Sequence, residues 1–181
     1  MILNRKDGSV NFNKSWAQYK SGFGDQDGEF WIGLDKLHQI TQRNQYRLKV
    51  VFRDFAGQDY QSYYSSFSVG PQSDGYRLSL SGFNSIISPG GDSLSFDSSR
   101  FNIHKMKFST YDNDNDRWVD DNCAKRYNGG WWWNNCGLAH PTGSYLPGGK
   151  LDATGIIWCS AKDNNYSYKT MKFILIQVGK G

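Results

Sequence analysis

The segment Tyr111-Asp-Asn-Asp-Asn-Asp-Arg-Trp118 carries carboxylates at alternate positions, Asp112, Asp114 and Asp116. Carboxylates at that spacing, with Asn between them, suit a hard cation that takes oxygen ligands at about 2.3–2.6 Å. The segment is not an EF-hand. With Asp112 in the first position the sixth would be Arg117 rather than Gly, and the twelfth Cys123 rather than Glu. What remains is a loop that uses two Asp side chains and later backbone carbonyls, with Asp120 and Asp121 adding negative charge. The plain alternative is a solvated acidic turn, since Asp and Asn favour turns.

A second cluster follows at once. Cys123 and Cys136 enclose Gly129-Gly-Trp-Trp-Trp133, while the third cysteine, Cys159, stands apart. No histidine lies at zinc spacing beside the pair, which favours a disulfide over a metal site and an oxidising compartment. Such a bond closes a loop of about 14 residues, worth roughly 3 kcal/mol in the chain-entropy model. Three consecutive Trp cannot all be core within a helix or a strand, so at least one is expected against a cleft, a neighbouring loop or solvent. Exposed Trp stacks on sugar rings or anchors peptides; otherwise the three cover loops as a small satellite core.

Catalytic chemistry finds little support. His38, His104 and His140 have no motif around them, and no G-x-S-x-G, H-E-x-x-H or P-loop is present. Glu29 is the single Glu, so a glycosidase would need two facing Asp, and nothing singles out such a pair. Cys159 closes the apolar run Ile156-Ile-Trp-Cys159 and reads as an inert buried thiol.

The elements that position these loops are short. The 181 residues suit one domain, with 38% hydrophobic and 16% aromatic residues, seven Trp and 20 Gly. All acidic residues but Glu29 are Asp, and Ala is scarce, which argues against a helical bundle. No run is apolar enough to span a membrane. The net charge of +4 comes from Lys and Arg scattered singly or in pairs, with no stripe of the kind that binds nucleic acid. Leu48, Val50 and Phe52 alternate with Lys49, Val51 and Arg53, the period of a strand, and Tyr76, Leu78 and Leu80 repeat it. Trp31, Leu34, Leu37 and Thr41 have helical spacing. Lys105–Ser109 and 155–159 read as short strands and 168–178 as a longer one, with Met171, Phe173 and Leu175 on one face; 81–102 and most of 109–155 read as loop. The sum is a mixed α+β domain with a scaffold in its first two thirds and irregular loops in its last. Asn13-Lys-Ser15 and Asn165-Tyr-Ser167 are glycosylation sequons compatible with secretion, and no signal peptide precedes Asn4-Arg5-Lys6.

Several segments together resemble the fibrinogen C-terminal (fibrinogen-related) domain. They are Asp7-Gly-Ser-Val-Asn-Phe12, Trp16, Gly28-Glu-Phe-Trp-Ile-Gly33, Leu37-His-Gln-Ile-Thr41 and Met106-Lys-Phe-Ser-Thr-Tyr-Asp-Asn-Asp-Asn-Asp116. Asn122-Cys-Ala124, Gly129-Gly-Trp-Trp132, Asn135-Cys136, Gly143-Ser-Tyr145, Gly155-Ile-Ile-Trp158 and Thr170-Met-Lys172 complete the match. The resemblance implies a central, mostly antiparallel twisted sheet with short helices and a loop-rich calcium and ligand subdomain. It implies no enzymatic activity. It divides residues 1–181, as one domain, into a sheet-and-helix part over 1–105, a loop part over 106–165 and a returning strand over 166–181. Family domains begin with a further small subdomain that carries its own Cys pair. By this resemblance the chain lacks it and starts inside the strand that follows, at Ile2-Leu-Asn-Arg5, a strand remnant expected to pair in the sheet.

The resemblance also assigns residues. Asp114 and Asp116 map to side-chain ligands of Ca2+, with carbonyls at Trp118 and near Asp120 completing the protein shell. Cys123–Cys136 maps to the family's second disulfide, and the Asn135–Cys136 peptide to one that is often cis. A ligand pocket that takes an acetyl group in lectin-type members would be walled by Tyr127 and by Trp132 or Trp133, beside Asn135, Cys136, Gly137, Asp152 and Ala153. Two positions depart from the pattern. Gly137 stands where acetyl binders carry His, and Asp152 where a pocket Tyr is common; an acid there would favour an amine or a basic peptide end. His140 is close enough in sequence to be weighed as a stand-in for the missing His, and is set aside. The resemblance thus implies a secreted, extracellular recognition domain that binds glycans, N-acetylated ones included. The alternative is a domain that binds a receptor or peptide through the same loops. Neither nucleic acid nor a membrane is among the expected partners, and the parent protein would be oligomerised by segments upstream.

Overall fold

The computed structural model describes residues 1–162 and 165–179; residues 163, 164, 180 and 181, which belong to the expected loop part and final strand, lie outside the described residues. The alternation around residue 50 forms strand β4, Tyr46–Arg53, with Leu48, Val50 and Phe52 buried and Arg47 and Arg53 exposed. Its neighbours are β5, Asp59–Val69, and β9, Thr170–Gln177, both antiparallel to it. β1, Leu3–Arg5, pairs with β9 on one side and with β3, Phe30–Trp31, on the other, so the expected strand at Ile2–Arg5 lies inside the sheet rather than at its rim. β2, Phe23–Gly24, and β6, Leu78–Phe83, form the two edges of a seven-stranded sheet ordered β2-β3-β1-β9-β4-β5-β6. β7, Ala139–His140, and β8, Ile157–Trp158, make a separate two-stranded ladder within the loop region.

Among the described residues three α-helices accompany the sheet. α1, Trp16–Ser21, starts at a capping box in which Ser15 and Gln18 satisfy each other's backbone groups. α2, Leu34–Arg43, buries Leu34, Leu37 and Thr41. Its Thr41 hydroxyl accepts from the Val69 amide, which fixes the helix on β5. α3, Cys123–Tyr127, opens on Asn122, whose side chain accepts from the Lys125 amide, and ends at Asn128 in the left-handed region.

Several expectations are corrected. Trp31 belongs to β3, not to the helix, because Gly33 at φ +100 packs against the Ser21 carbonyl and breaks the helical run before Leu34. Lys105–Ser109 forms no strand; Ser109 makes only an isolated bridge to Trp131. β5 has no counterpart in the sequence reading. Its buried face moves from Ser62 and Tyr64 to Phe67 and Val69, so no single alternation spans it. The shift occurs beside Gly82, at φ +69, where any side chain would collide with Ser65. All three Trp of the triplet are buried, outside helix and strand alike. Cys159 is half-buried rather than enclosed.

Candidate functional site

The acidic loop and the Trp loop meet through Cys123. Its sulfur bonds Cys136 at 2.07 Å, with the Cα atoms 5.7 Å apart. Its amide donates to Asp116 Oδ2 at 2.7 Å, and the Trp118 amide donates to Asp116 Oδ1 at 2.7 Å. The Asp116 carboxylate is therefore aimed by two backbone donors and keeps one further lone pair on each oxygen. Asp114, exposed, accepts from the Asp116 amide at 3.1 Å. Burial pushes the Asp116 carboxyl up to about 6. The Cys123 and Trp118 amides act against that rise, and the charge of Asp114 adds to it.

Asp112, the third alternating carboxylate, is used otherwise: it accepts from the Trp16 amide at 2.9 Å and from the Thr110 hydroxyl at 2.7 Å, tying the loop to α1. Among the described residues no hydrogen bond reaches the Trp118 or Asp120 carbonyl. The loop thus sets two carboxylates of like charge side by side and leaves two carbonyls downstream without a donor, groups of the type a hard cation takes. No cluster of three or more His, Cys, Asp or Glu suited to a metal occurs among the described residues, so carbonyls and water would have to complete such a shell.

The helix that begins at Cys123 ends at Tyr127, and Tyr127 walls a cavity of about 190 Å³. Trp133, Gly137 and Ala153 also line it, as expected. The Trp133 ring lies 5.7 Å from Tyr127 and is held by its indole N–H donating to the Gly129 carbonyl at 3.0 Å. A Cβ on Gly137 would meet the Trp133 ring at 3.7 Å, an ordinary contact, so the missing side chain widens the cavity without being demanded by sterics.

Four expected residues do not line the cavity. Trp132 is core: its indole donates to the Tyr76 carbonyl at 2.8 Å and its rings pack on Phe108, Trp31 and Phe67. The Asn135 amide donates to the Arg100 carbonyl at 3.1 Å, and its carbonyl accepts from the Arg100 guanidinium at 2.8 Å. Cys136 is taken up by the disulfide, and the peptide that joins it to Asn135 is cis. Asp152 is exposed and turns its carboxylate onto Thr154, accepting from the amide at 2.9 Å and the hydroxyl at 2.8 Å. Those two donors hold the Asp152 carboxyl below the usual carboxylate range. The acid expected at the wall is therefore spent on its own turn.

The residue that sequence reasoning set aside is His140. It lines the cavity, 3% exposed, with its ring 4.9 Å from Trp133 and 6.3 Å from Tyr127. Both ring nitrogens are enclosed, and neither makes a well-aligned hydrogen bond. Burial pushes its pKa down to about 3, with the Ala153 backbone acting the other way, so the imidazole is neutral. The signal available in the sequence was its place four residues beyond Cys136. None of the side chains lining the cavity is charged.

The loop that carries His140 is anchored to the sheet. Arg5, 1% exposed, donates to the Pro141 carbonyl at 3.0 Å and the Gly143 carbonyl at 2.6 Å. Glu29, fully buried, faces Arg5 at 3.5 Å and accepts from the amides of Lys6, Asp7, Gly8 and Val10.

Sheet order, the acidic loop, the disulfide and the aromatic cavity define a fibrinogen-type globe. Residues 1–177 match the family of the C-terminal globular domain of fibrinogen beta and gamma chains, and the chain belongs to that family. Its members are non-enzymatic binding domains. The human fibrinogen alpha chain is 39% identical over 95% of this chain and 21% of its own length. Mouse angiopoietin-related protein 6 is 38% identical over 93% of this chain and 35% of its own. The chain thus spans well under half of these curated relatives. Among solved structures, the fibrinogen-like globe domain of human ANGPTL6 superposes with a TM-score of 0.90 at 35% identity, covering 99% of this chain and 78% of that one. Lamprey fibrin D-dimer, complexed with the peptide Gly-His-Arg-Pro-amide, gives 0.90 at 32% identity, covering 99% and 61%.

Proposed function

We propose that the domain is an extracellular recognition module in which a Ca2+ loop at Asp114 and Asp116, with the Trp118 and Asp120 carbonyls, supports a pocket for an uncharged polar group. The observation that carries this is the cavity wall: the rings of Tyr127, Trp133 and a neutral, buried His140 line it, and no charged side chain does. Aromatic, uncharged walls of this kind suit a small group that offers apolar surface and carries no charge. An acetamido group fits this chemistry, with a methyl for the rings and no charge to desolvate. N-acetylated glycans are therefore the proposed ligand class. Cation and pocket are coupled through α3, since Asp116 holds the Cys123 amide at one end of that helix and Tyr127 walls the cavity at the other. The internal disulfide supports secretion, and no described helix is long and apolar enough to cross a membrane.

The second reading, a peptide or receptor ligand, is favoured by the likeness to fibrin solved with a peptide. That peptide carries a basic residue, whereas this cavity offers no carboxylate and Asp152 is turned away. A glycan array run in calcium and in EDTA decides between them. Binding of acetamido sugars that is lost with EDTA, with Asp114→Ala and with His140→Phe is expected. Retention of a peptide library in place of any glycan overturns the glycan reading. An unchanged melting temperature on adding EDTA overturns the calcium loop.

A further inference from the structure

The sheet turns one face toward the pocket-bearing loops and core, and the other carries most of its charge. On that second face β4 sets Arg47, Lys49 and Arg53, and β9 sets Lys172. The register places Lys172 opposite Val51, and hence diagonal to both Lys49 and Arg53. Lys169, just before β9, and Lys6, just after β1, extend the row across the strands. Cations scattered singly along the sequence are thus gathered by strand pairing alone.

Lys6, Arg53, Lys169 and Lys172 line one groove of about 670 Å³. Its single carboxylate, Asp59, is engaged by Arg53 at 2.6 and 2.7 Å. Lys6, Lys169 and Lys172 are exposed, and no carboxylate of the described residues lies within ion-pair distance of them. Alternate residues along a strand stand about 6.8 Å apart, so the face offers a ladder of positive charge rather than one binding point. A partner that matches it is linear and carries repeated anions. The oxidising compartment implied by Cys123–Cys136 selects a sulfated polysaccharide over a nucleic acid.

We propose that this open sheet face, around Lys6, Arg53, Lys169 and Lys172, docks a linear sulfated polysaccharide, independently of the aromatic pocket. The test is titration of the whole chain with a heparin octasaccharide at several salt concentrations. Arg53 is already compensated by Asp59, so with the three free lysines engaged log Kd rises with log salt with a slope of about 2–3, at roughly 0.7–0.9 per contact as on other polyanions. Lys169→Gln with Lys172→Gln removes about two thirds of that slope and weakens binding about tenfold or more near physiological salt, as counterion release requires. Lys20→Gln with Lys36→Gln, an equal charge loss on α1 and α2, leaves binding as in the parent. All four positions are surface residues, and matching melting temperatures confirm intact folding. Equal loss from both pairs, or no salt-dependent binding at all, overturns the proposal. Tighter binding of duplex DNA than of the octasaccharide, lost in the same groove variants, overturns the assignment of a glycan.

Discussion

Replacing Glu29 by Gln tests the claim that a buried ion pair anchors the pocket loop. The substitution keeps the volume and removes the charge. In the parent, Glu29 Oε1 accepts from the amides of Lys6, Asp7 and Gly8 at 2.8, 3.2 and 3.1 Å, and Oε2 from that of Val10 at 3.0 Å. An amide has one acceptor oxygen, so either Val10 or the other three donors lose their partner, and the Arg5 guanidinium is left buried without a counter-charge. Breaking one side of a buried pair costs about 3–5 kcal/mol, which in a domain of this size lowers Tm by about 6–20 °C. Thermal and urea unfolding followed by circular dichroism read the loss. Amide exchange should quicken over residues 139–145, because Arg5 also holds the Pro141 and Gly143 carbonyls. Adding Arg5→Met removes the stranded charge, so the double variant should be less destabilised than the two single changes summed, by at least about 1 kcal/mol. A Tm shift under about 2 °C, or strict additivity, would refute the anchoring argument. The pH dependence has a fixed sign. Burial raises the Glu29 pKa, but Arg5 and the Lys6, Val10 and Gly8 amides outweigh it and hold it below the usual range. Its contribution is therefore complete above the unfolded pKa and lost as pH falls through the folded one.

Two further outcomes are expected. His140 stays neutral down to about 3 in the folded chain, against 6.5 unfolded, so stability falls as pH drops from 6.5 toward 3; the urea midpoint of His140→Phe should fall less steeply over that range, and identical slopes would remove His140 as the cause. Converting both Cys123 and Cys136 to Ser should cost about 3 kcal/mol by the chain-entropy relation and blunt the Tm response to EDTA, since the disulfide joins the two loops; a urea midpoint unchanged from the parent would refute it.

Legibility in the sequence followed the range of the interactions involved. β4 was readable because one face is buried at Leu48, Val50 and Phe52, and β9 because Met171 and Phe173 are buried between exposed or half-buried neighbours, which leaves a period of two in the residue types. β5 was not, because its buried face shifts at Gly82, a constraint that comes from the neighbouring strand. The triplet Trp131–Trp133 was half legible. The argument that one ring must leave the core assumed regular structure, whereas the irregular backbone buries all three and gives only Trp133 to the cavity. Of the residues the family motifs point to, Tyr127, Trp133, Gly137 and Ala153 line one cavity. They misplaced Trp132 and Asp152, whose local partners, the Tyr76 carbonyl and Thr154, depend on how the loops fold. The cationic face was invisible for a similar reason: Lys172 and Lys49 are neighbours only through strand register.

β9, the last strand of the sheet, lies between β1 and β4 rather than at an edge. While the chain emerges from a ribosome, β1 and β4 therefore wait with unpaired flanks until residues 170–177 have been made. Hairpins β4–β5 and β5–β6 can form early, but the sheet stays in two parts until residues 170–177 arrive. A polypeptide cut short before Thr170 has no route to a finished sheet and presents two open strand edges to chaperones and proteases. The position of this strand makes synthesis of residues 170–177 a precondition for a finished sheet.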